Sequence, residues 1–238
     1  MTDTLVSIPV FGMVLTLISY WAGLKLHERF PYPFLQPILT ASIMVIIILK
    51  IFGVEYQVYN KQNAFLNYML APAAVVLAVP LYRNIHILKR NIVPIIAGVV
   101  CGCLTTMGCC IFFAWLFGAN KEIIVSMIPK GVTNPIAIEV SSIIGGIPEL
   151  TIAMVVFTGI FGGTFGPEVI RLLRIKNKVA KGIALGSMCH AIGTARAFKE
   201  GEIEGAMSSL AMGLAGIFTA IAAPIIAGLL LYELKTEN

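Results

Sequence analysis

The sequence predicts an all-α polytopic membrane protein, a bundle of about seven to eight spans with broken or re-entrant segments. Three observations predict it. Hydrophobic residues make up 58% of the 238 and charged residues only 12%, about half the charge of an ordinary soluble domain. The mean hydropathy is +0.91. The apolar residues are gathered into stretches of about 20, the length that crosses a bilayer, and the basic residues into the short connections between them.

The segments run, in order, over about 5–26, 35–53, 64–82, 91–118, 122–146, 147–170, 179–198 and 203–232. The N-terminal stretch has no basic leader and no small-residue cleavage signal, so it is expected to be a retained first span. The connections are short and no linker or low-complexity tract appears, which predicts one transmembrane domain over 1–238. Basic clusters at Lys25 and Arg29, at Arg83, Lys89 and Arg90, and from Arg171 to Lys181 should face the cytoplasm under the positive-inside rule. The first four segments then alternate with the N-terminus outside.

Segment 122–146 breaks this alternation unless it enters and leaves on one side. Its sequence agrees, because Pro129 and Pro135 bracket Lys130, Gly131, Val132, Thr133 and Asn134. A proline inside a helix removes a hydrogen bond, and unwound backbone at membrane depth survives only where protein or a wet cavity satisfies it. Segment 64–82 carries a milder interruption at Pro72 and Pro80, and paired interruptions are a mark of inverted repeats in transporters. The pairs Gly98/Gly102, Gly159/Gly163 and Gly182/Gly186 predict closely packed helices.

Polar groups inside apolar segments carry the functional argument, since each ionised one costs about 2.5–3.5 kcal/mol on insertion scales. Lys130 lies beside a helix break whose free N–H groups suit a carboxylate; the plainer alternative is a lysine snorkelling to the interface. Glu139 can pair with Lys130 or titrate and couple transport to protons. His190 and Thr194 are four apart and share one helical face; His190 is a proton relay or a hydrogen-bonded core histidine. Arg196 offers a fork for a carboxylate, or caps its segment near the interface. Glu200, Glu202 and Glu204 read as a solvated loop. Cys101, Cys103, Cys109, Cys110 and Cys189 have neither metal nor disulfide spacing and read as packing residues.

Several functions are disfavoured. There is no GxxxxGK[ST] loop for a nucleotide-driven pump, and no HExxH or GxSxG for intramembrane hydrolysis, so no enzyme is expected. Three scattered histidines predict no metal, and no cofactor is expected. Basic residues are not interleaved with stacking aromatics, so nucleic acid is not an expected partner.

The stretches LAPAAVVLAVPLYRN (70–84), PKGVTNPIA (129–137), IGGIPELT (144–151), TGIFGGTFGP (158–167), CHAIGTARAF (189–198) and GAMSSLAMGLAGIFTAIAAP (205–224) resemble the LrgB/CidB family. The resemblance covers nearly everything beyond the first two spans and extends to the C-terminal portion of the plastid glycolate/glycerate transporter. One departure is Ala191, where members often have glycine after the histidine. The resemblance implies a multi-pass protein of the bacterial inner membrane with two functional descriptions. One is a carrier of small monocarboxylates such as glycolate, glycerate, pyruvate or lactate. The other is a modulator of murein hydrolase activity and autolysis acting with a holin-like LrgA/CidA-type membrane partner. The motif residues carried over are Lys130, Thr133, Asn134, His190, Thr194 and Arg196. A selective anion site favours the carrier, for which self-association in the lipid bilayer is also expected.

Overall fold

The computed structural model describes residues 10–30, 32 and 35–236. Residues 5–9, the start of the first predicted segment, lie outside them. The described residues are helical apart from short turns and connections, with no strand among them. In chain order the helices are α1 (Phe11–Arg29), α2 (Pro37–Phe52), α3 (Tyr56–Gln62), α4 (Ala64–Tyr68), α5 (Leu70–Arg83), α6 (Ile85–Arg90) and α7 (Ile92–Leu116). Then come α8 (Lys121–Met127), a 3-10 turn (Ile128–Gly131), α9 (Asn134–Ile143), α10 (Pro148–Leu172), α11 (Lys178–Glu200) and α12 (Glu202–Thr236). Two compact units divide between Val76 and Leu77, within α5.

In the first unit α1 and α2 pack antiparallel, with Leu15, Val45 and Leu49 in the seam. Gly23 allows the backbone of Pro37 to approach, where a Cβ would lie 2.8 Å from its carbonyl oxygen. Gly53, with φ +65°, ends α2, and α3 leaves it at 120°. A polar knot then ties α3 to α1: Thr16 Oγ1 lies 2.7 Å from the Tyr59 hydroxyl and 3.0 Å from Asn63 Oδ1. Gly12 N–H donates to Gln62 Oε1.

The second unit is built on α7, α10 and α12, each long and apolar enough to cross a membrane. Between them lie two helical hairpins that do not cross. The first is 121–143. Ser126 and Ser141 are fifteen positions apart, or about 22 Å along a straight helix. Yet Thr151 Oγ1 lies within hydrogen-bond distance of both, 2.8 Å from Ser126 O and 2.7 Å from Ser141 Oγ. The chain therefore turns back at the 3-10 turn, and its two arms close at the first turn of α10. All three hydroxyl residues are fully buried. Ser126 Oγ also accepts from Ile147 N–H at 2.7 Å. Gly146 leaves room for this cluster, since a Cβ there would sit 2.6 Å from Ser141 Oγ.

The second hairpin is α11 itself, and here the sequence reading is corrected. Segment 179–198 is no single span: His190 has φ +40° and ψ −132°, and the helix folds back there. Lys181 and Glu200 would be about 28 Å apart on a straight helix but line one small pocket with Arg171. Leu185 and Ala197, from opposite arms, pack together on Ile170. Gly193 faces the Leu185 carbonyl across the bend so closely that a Cβ could not fit.

Both arms of α11 lean on backbone made accessible by glycine. Gly182 and Gly186 receive the carbonyls of Glu204 and Ser208 on α12, while Gly162, Gly163 and Gly166 of α10 receive Cys189, Ile192 and Leu185. Gly98 and Gly102 of α7 face Ile183 and Ser187. All three predicted glycine pairs thus lie in close helix seams, as small residues do where backbones must approach.

The hairpins enter from opposite ends. Leu88, Val179 and Ile203 pack on the Ile95 and Ile183 cluster, so the start of α7, the start of α11 and the start of α12 share one end. That end carries Arg90, Arg171, Lys178 and Lys181, the basic clusters expected from the sequence to share one face. Val125, Val140 and Ile144 of the first hairpin pack instead with Met107 and Ala227 toward the other end. The predicted even passage of 122–146 agrees with this. Segment 178–200 is a second interrupted hairpin, which the sequence reading took for a simple span. The predicted count of seven to eight spans is not confirmed. Among the described residues three helices are long and apolar enough to cross, or four if the bent α2–α3 pair is one span.

The hairpins give two tests. Single cysteines replacing Lys176 and Glu202, in a background without the native cysteines, should be labelled by an impermeant reagent from the same membrane face. A cysteine replacing Glu122 should be labelled from the other; opposite faces for the first two would rule out the α11 hairpin. Thr151→Val strands buried acceptors and should cost about 1–3 kcal/mol, read as a lowered Tm in detergent, with Thr151→Ser retaining most of the stability.

Candidate functional site

The two hairpin tips meet midway along α7. A Cβ on Gly131, in the first tip, would lie 3.5 Å from Thr106 Cγ2 on α7 and 3.9 Å from the Ser187 carbonyl on α11. Beside this junction is a small cavity lined by Cys103, Thr106, Met107, Ile128, Gly131, Ser187 and Thr219, with room for about one water.

Lys130 sits in the 3-10 turn between buried Pro129 and Gly131, half-buried itself. Its charge acts on the Cys110 thiol of α7. No carboxylate among the described residues pairs with it. The alternative in which Glu139 neutralises Lys130 is therefore not realised: Glu139 is exposed on α9 and makes no ion pair among the described residues. Thr133 is the N-cap residue of α9, but its side chain makes no capping bond, and Asn134 is exposed. With Pro135 next in line, the first-turn N–H groups of α9 have no side-chain cap.

His190 is 5% exposed, and its Nε2 lies 2.9 Å from the Val155 carbonyl of α10. A carbonyl only accepts, so Nε2 carries the proton and donates. The ring rests on Gly159, where a Cβ would come within 2.5 Å of His190 Cε1. The fold-back occurs at His190, which begins the returning arm; one turn on, Thr194 Oγ1 donates to the His190 carbonyl at 2.9 Å, and it also meets Ser208 Oγ at 3.0 Å. Arg196 lies on the returning arm, paired with Glu200 at 3.0 Å.

The expected glutamate loop is corrected as well. Glu200 holds Arg196, and Glu204 is 4% exposed, its carboxylate lying against Gly201 in the first turn of α12. Negative charge is favoured there by the helix dipole. Buried Cys103, Cys110 and Cys189 fit the packing reading, while Cys101 and Cys109 are exposed on the apolar surface.

Sequence reasoning missed Thr106, Ser187 and Thr219 at the tip junction, and the Ser126–Ser141–Thr151 cluster. A hydroxyl in an apolar helix usually bonds its own i−4 carbonyl, as Thr106 and Ser187 do at 2.8 Å, so nothing in the sequence distinguishes these.

Two interrupted hairpins with this spacing of motifs can be compared with known families. The model of the LrgB-like family matches residues 16–229. The chain belongs to the LrgB family. The uncharacterised Bacillus subtilis protein YxaC is 38% identical over 92% of this chain and 95% of its own length. The holin-like protein CidB of Staphylococcus aureus is 34% identical over 90% of this chain and 93% of its own. No solved structure matches. Within this LrgB-family chain, the conspicuous PKGVTNPIA and CHAIGTARAF stretches fall at the two hairpin turns.

The seating of His190 is testable. Alanine is the better helix former by about 1 kcal/mol, so Gly159→Ala would stabilise an uncrowded helix. Here it should lower Tm instead, by displacing the ring from Val155, and Gly159→Ala/His190→Ala should recover part of the loss.

Proposed function

We propose that this LrgB-family membrane protein is a carrier of small organic monocarboxylates, such as glycolate, glycerate, pyruvate or lactate, across the bacterial inner membrane. The observation that carries this reading is the meeting of two oppositely entering hairpins at a point where Lys130 has no carboxylate partner among the described residues. A half-helix N-terminus beside an ammonium suits a carboxylate, and broken helices at mid-membrane are where transporters build such sites.

Lys130 and the start of α9 would hold the carboxylate, with Thr133 and Asn134 bonding its neighbouring oxygen. Thr194 acts from the second tip, where its hydroxyl is already shared between His190 and Ser208. Arg196 would admit the anion at the basic end by exchanging Glu200 for it. Glu139 and His190 are the groups through which protons would couple, Glu139 being the more accessible. Alternating access follows if each hairpin opens toward the end from which it enters. The solute is moved without chemical change.

A second reading, modulation of autolysis with a holin-like membrane partner, draws support from the CidB relatives, which are named holin-like proteins. The two readings differ in selectivity. Purified protein alone in liposomes should take up labelled glycolate or pyruvate saturably. Lys130→Ala should lose at least ~10-fold, the scale of one charge-assisted hydrogen bond, while keeping its Tm. An imposed pH gradient should change the rate. Leakage of unrelated solutes, or dependence on a second membrane protein, would favour the modulator instead.

A further inference from the structure

The basic end of the second unit carries a crevice away from the tip junction. It lies between the last turns of α10 and the two arms of α11, lined by buried Pro167, Ile170 and Leu185 and by charged Arg171, Lys181 and Glu200. Glu200 does not neutralise the two cations, because its carboxylate is turned to Arg196 at 3.0 Å. Arg171 is held by Glu168 at 3.1 Å, an exposed pair within one helical turn that solvent screens and a more highly charged anion can replace. Lys181 is half-buried and pairs with no carboxylate among the described residues.

The surroundings add charge of the same sign. Arg171, Arg174, Lys176, Lys178 and Lys181 follow one another with no acidic residue between them. The helix α11 starts at Lys178, so the positive pole of its first arm lies at the same turn. This excess calls for an anion, and the neighbouring side chains indicate its kind. Leu172 and Leu173, beside Arg171 and Arg174, are 81% and 65% exposed. Leucines projecting outward among cations fit the boundary between acyl chains and headgroups rather than open water. Basic pockets beside spans at that level are where acidic headgroups bind.

We propose that this crevice binds the phosphate of an anionic phospholipid, held by Lys181 and Arg171, with the apolar wall taking the glycerol. Lys181 is on the first arm of α11 and Arg171 on α10, so the headgroup ties the second hairpin to a span. The site is independent of the carrier reading.

The test uses the full chain in a non-ionic detergent at fixed pH and ionic strength. Tm is followed as phosphatidylglycerol, phosphatidylcholine with the same chains, or sodium phosphate is added. Phosphatidylglycerol should raise Tm saturably, and the other two should not. Lys181→Gln should raise the half-saturating phosphatidylglycerol concentration at least ~10-fold, the scale of one charge-assisted hydrogen bond. Lys176→Gln removes the same charge from the exposed turn and should shift it less, by at most the ~5-fold that one surface charge contributes. Arg171→Gln gives the same reading as Lys181→Gln should the latter fail to fold. A rise shared with phosphatidylcholine would mean general solvation of the spans, and one shared with sodium phosphate a free anion; either overturns the proposal. So does the absence of a rise, or an equal shift in the crevice and turn variants, which would show diffuse attraction without a site.

Discussion

Backbone polar groups cannot be left bare in hydrocarbon, and that constraint organises the second unit. Each hairpin tip abandons the helical ladder, at 128–133 and at His190, inside the protein rather than at its surface. The tips can be there only because α7, α10 and α12 surround them. Their free carbonyls and N–H groups then become the polar interior of an otherwise apolar bundle. The first hairpin is closed by Thr151, whose one hydroxyl meets groups from both arms. The second is held by the His190–Val155 bond and by Thr194 on Ser208.

Packing follows from the same need. Van der Waals contact and buried hydrogen bonds, not the hydrophobic effect, hold helices together in lipid. Glycine and alanine therefore sit wherever a hairpin arm touches a span: Gly159, Gly162, Gly163 and Gly166 on α10, Gly182 and Gly186 on α11, and Ala206, Ala211 and Ala215 on α12. The outward faces keep large side chains, including the stacked rings of Phe157 and Phe161. Seams of small residues cost little to slide, which suits a bundle whose hairpins are proposed to move.

The two tips have opposite polarity. The first presents a helix start and Lys130, the second a helix end and hydroxyl lone pairs.

Composition and charge placement were enough to determine a helical membrane protein, its basic end and the break at 128–136. Two prolines and a lone lysine within an apolar stretch are incompatible with a straight span facing lipid, because ring, missing N–H and charge all need protein around them. The three glycine pairs were legible from their spacing alone. The fold-back at His190 was not legible. A histidine with positive φ is rare, and CHAIGTARAF reads as helix by propensity; only the Gly159 seat, the Val155 carbonyl and the α12 backbone make the turn favourable. The burial of Glu204 and the convergence of Thr106, Ser187 and Thr219 were likewise decided by tertiary structure, because each depends on residues far away in the chain. Local sequence determined which segments could break; the packing of three spans decided which of them turned back, and which hydroxyls faced the space between.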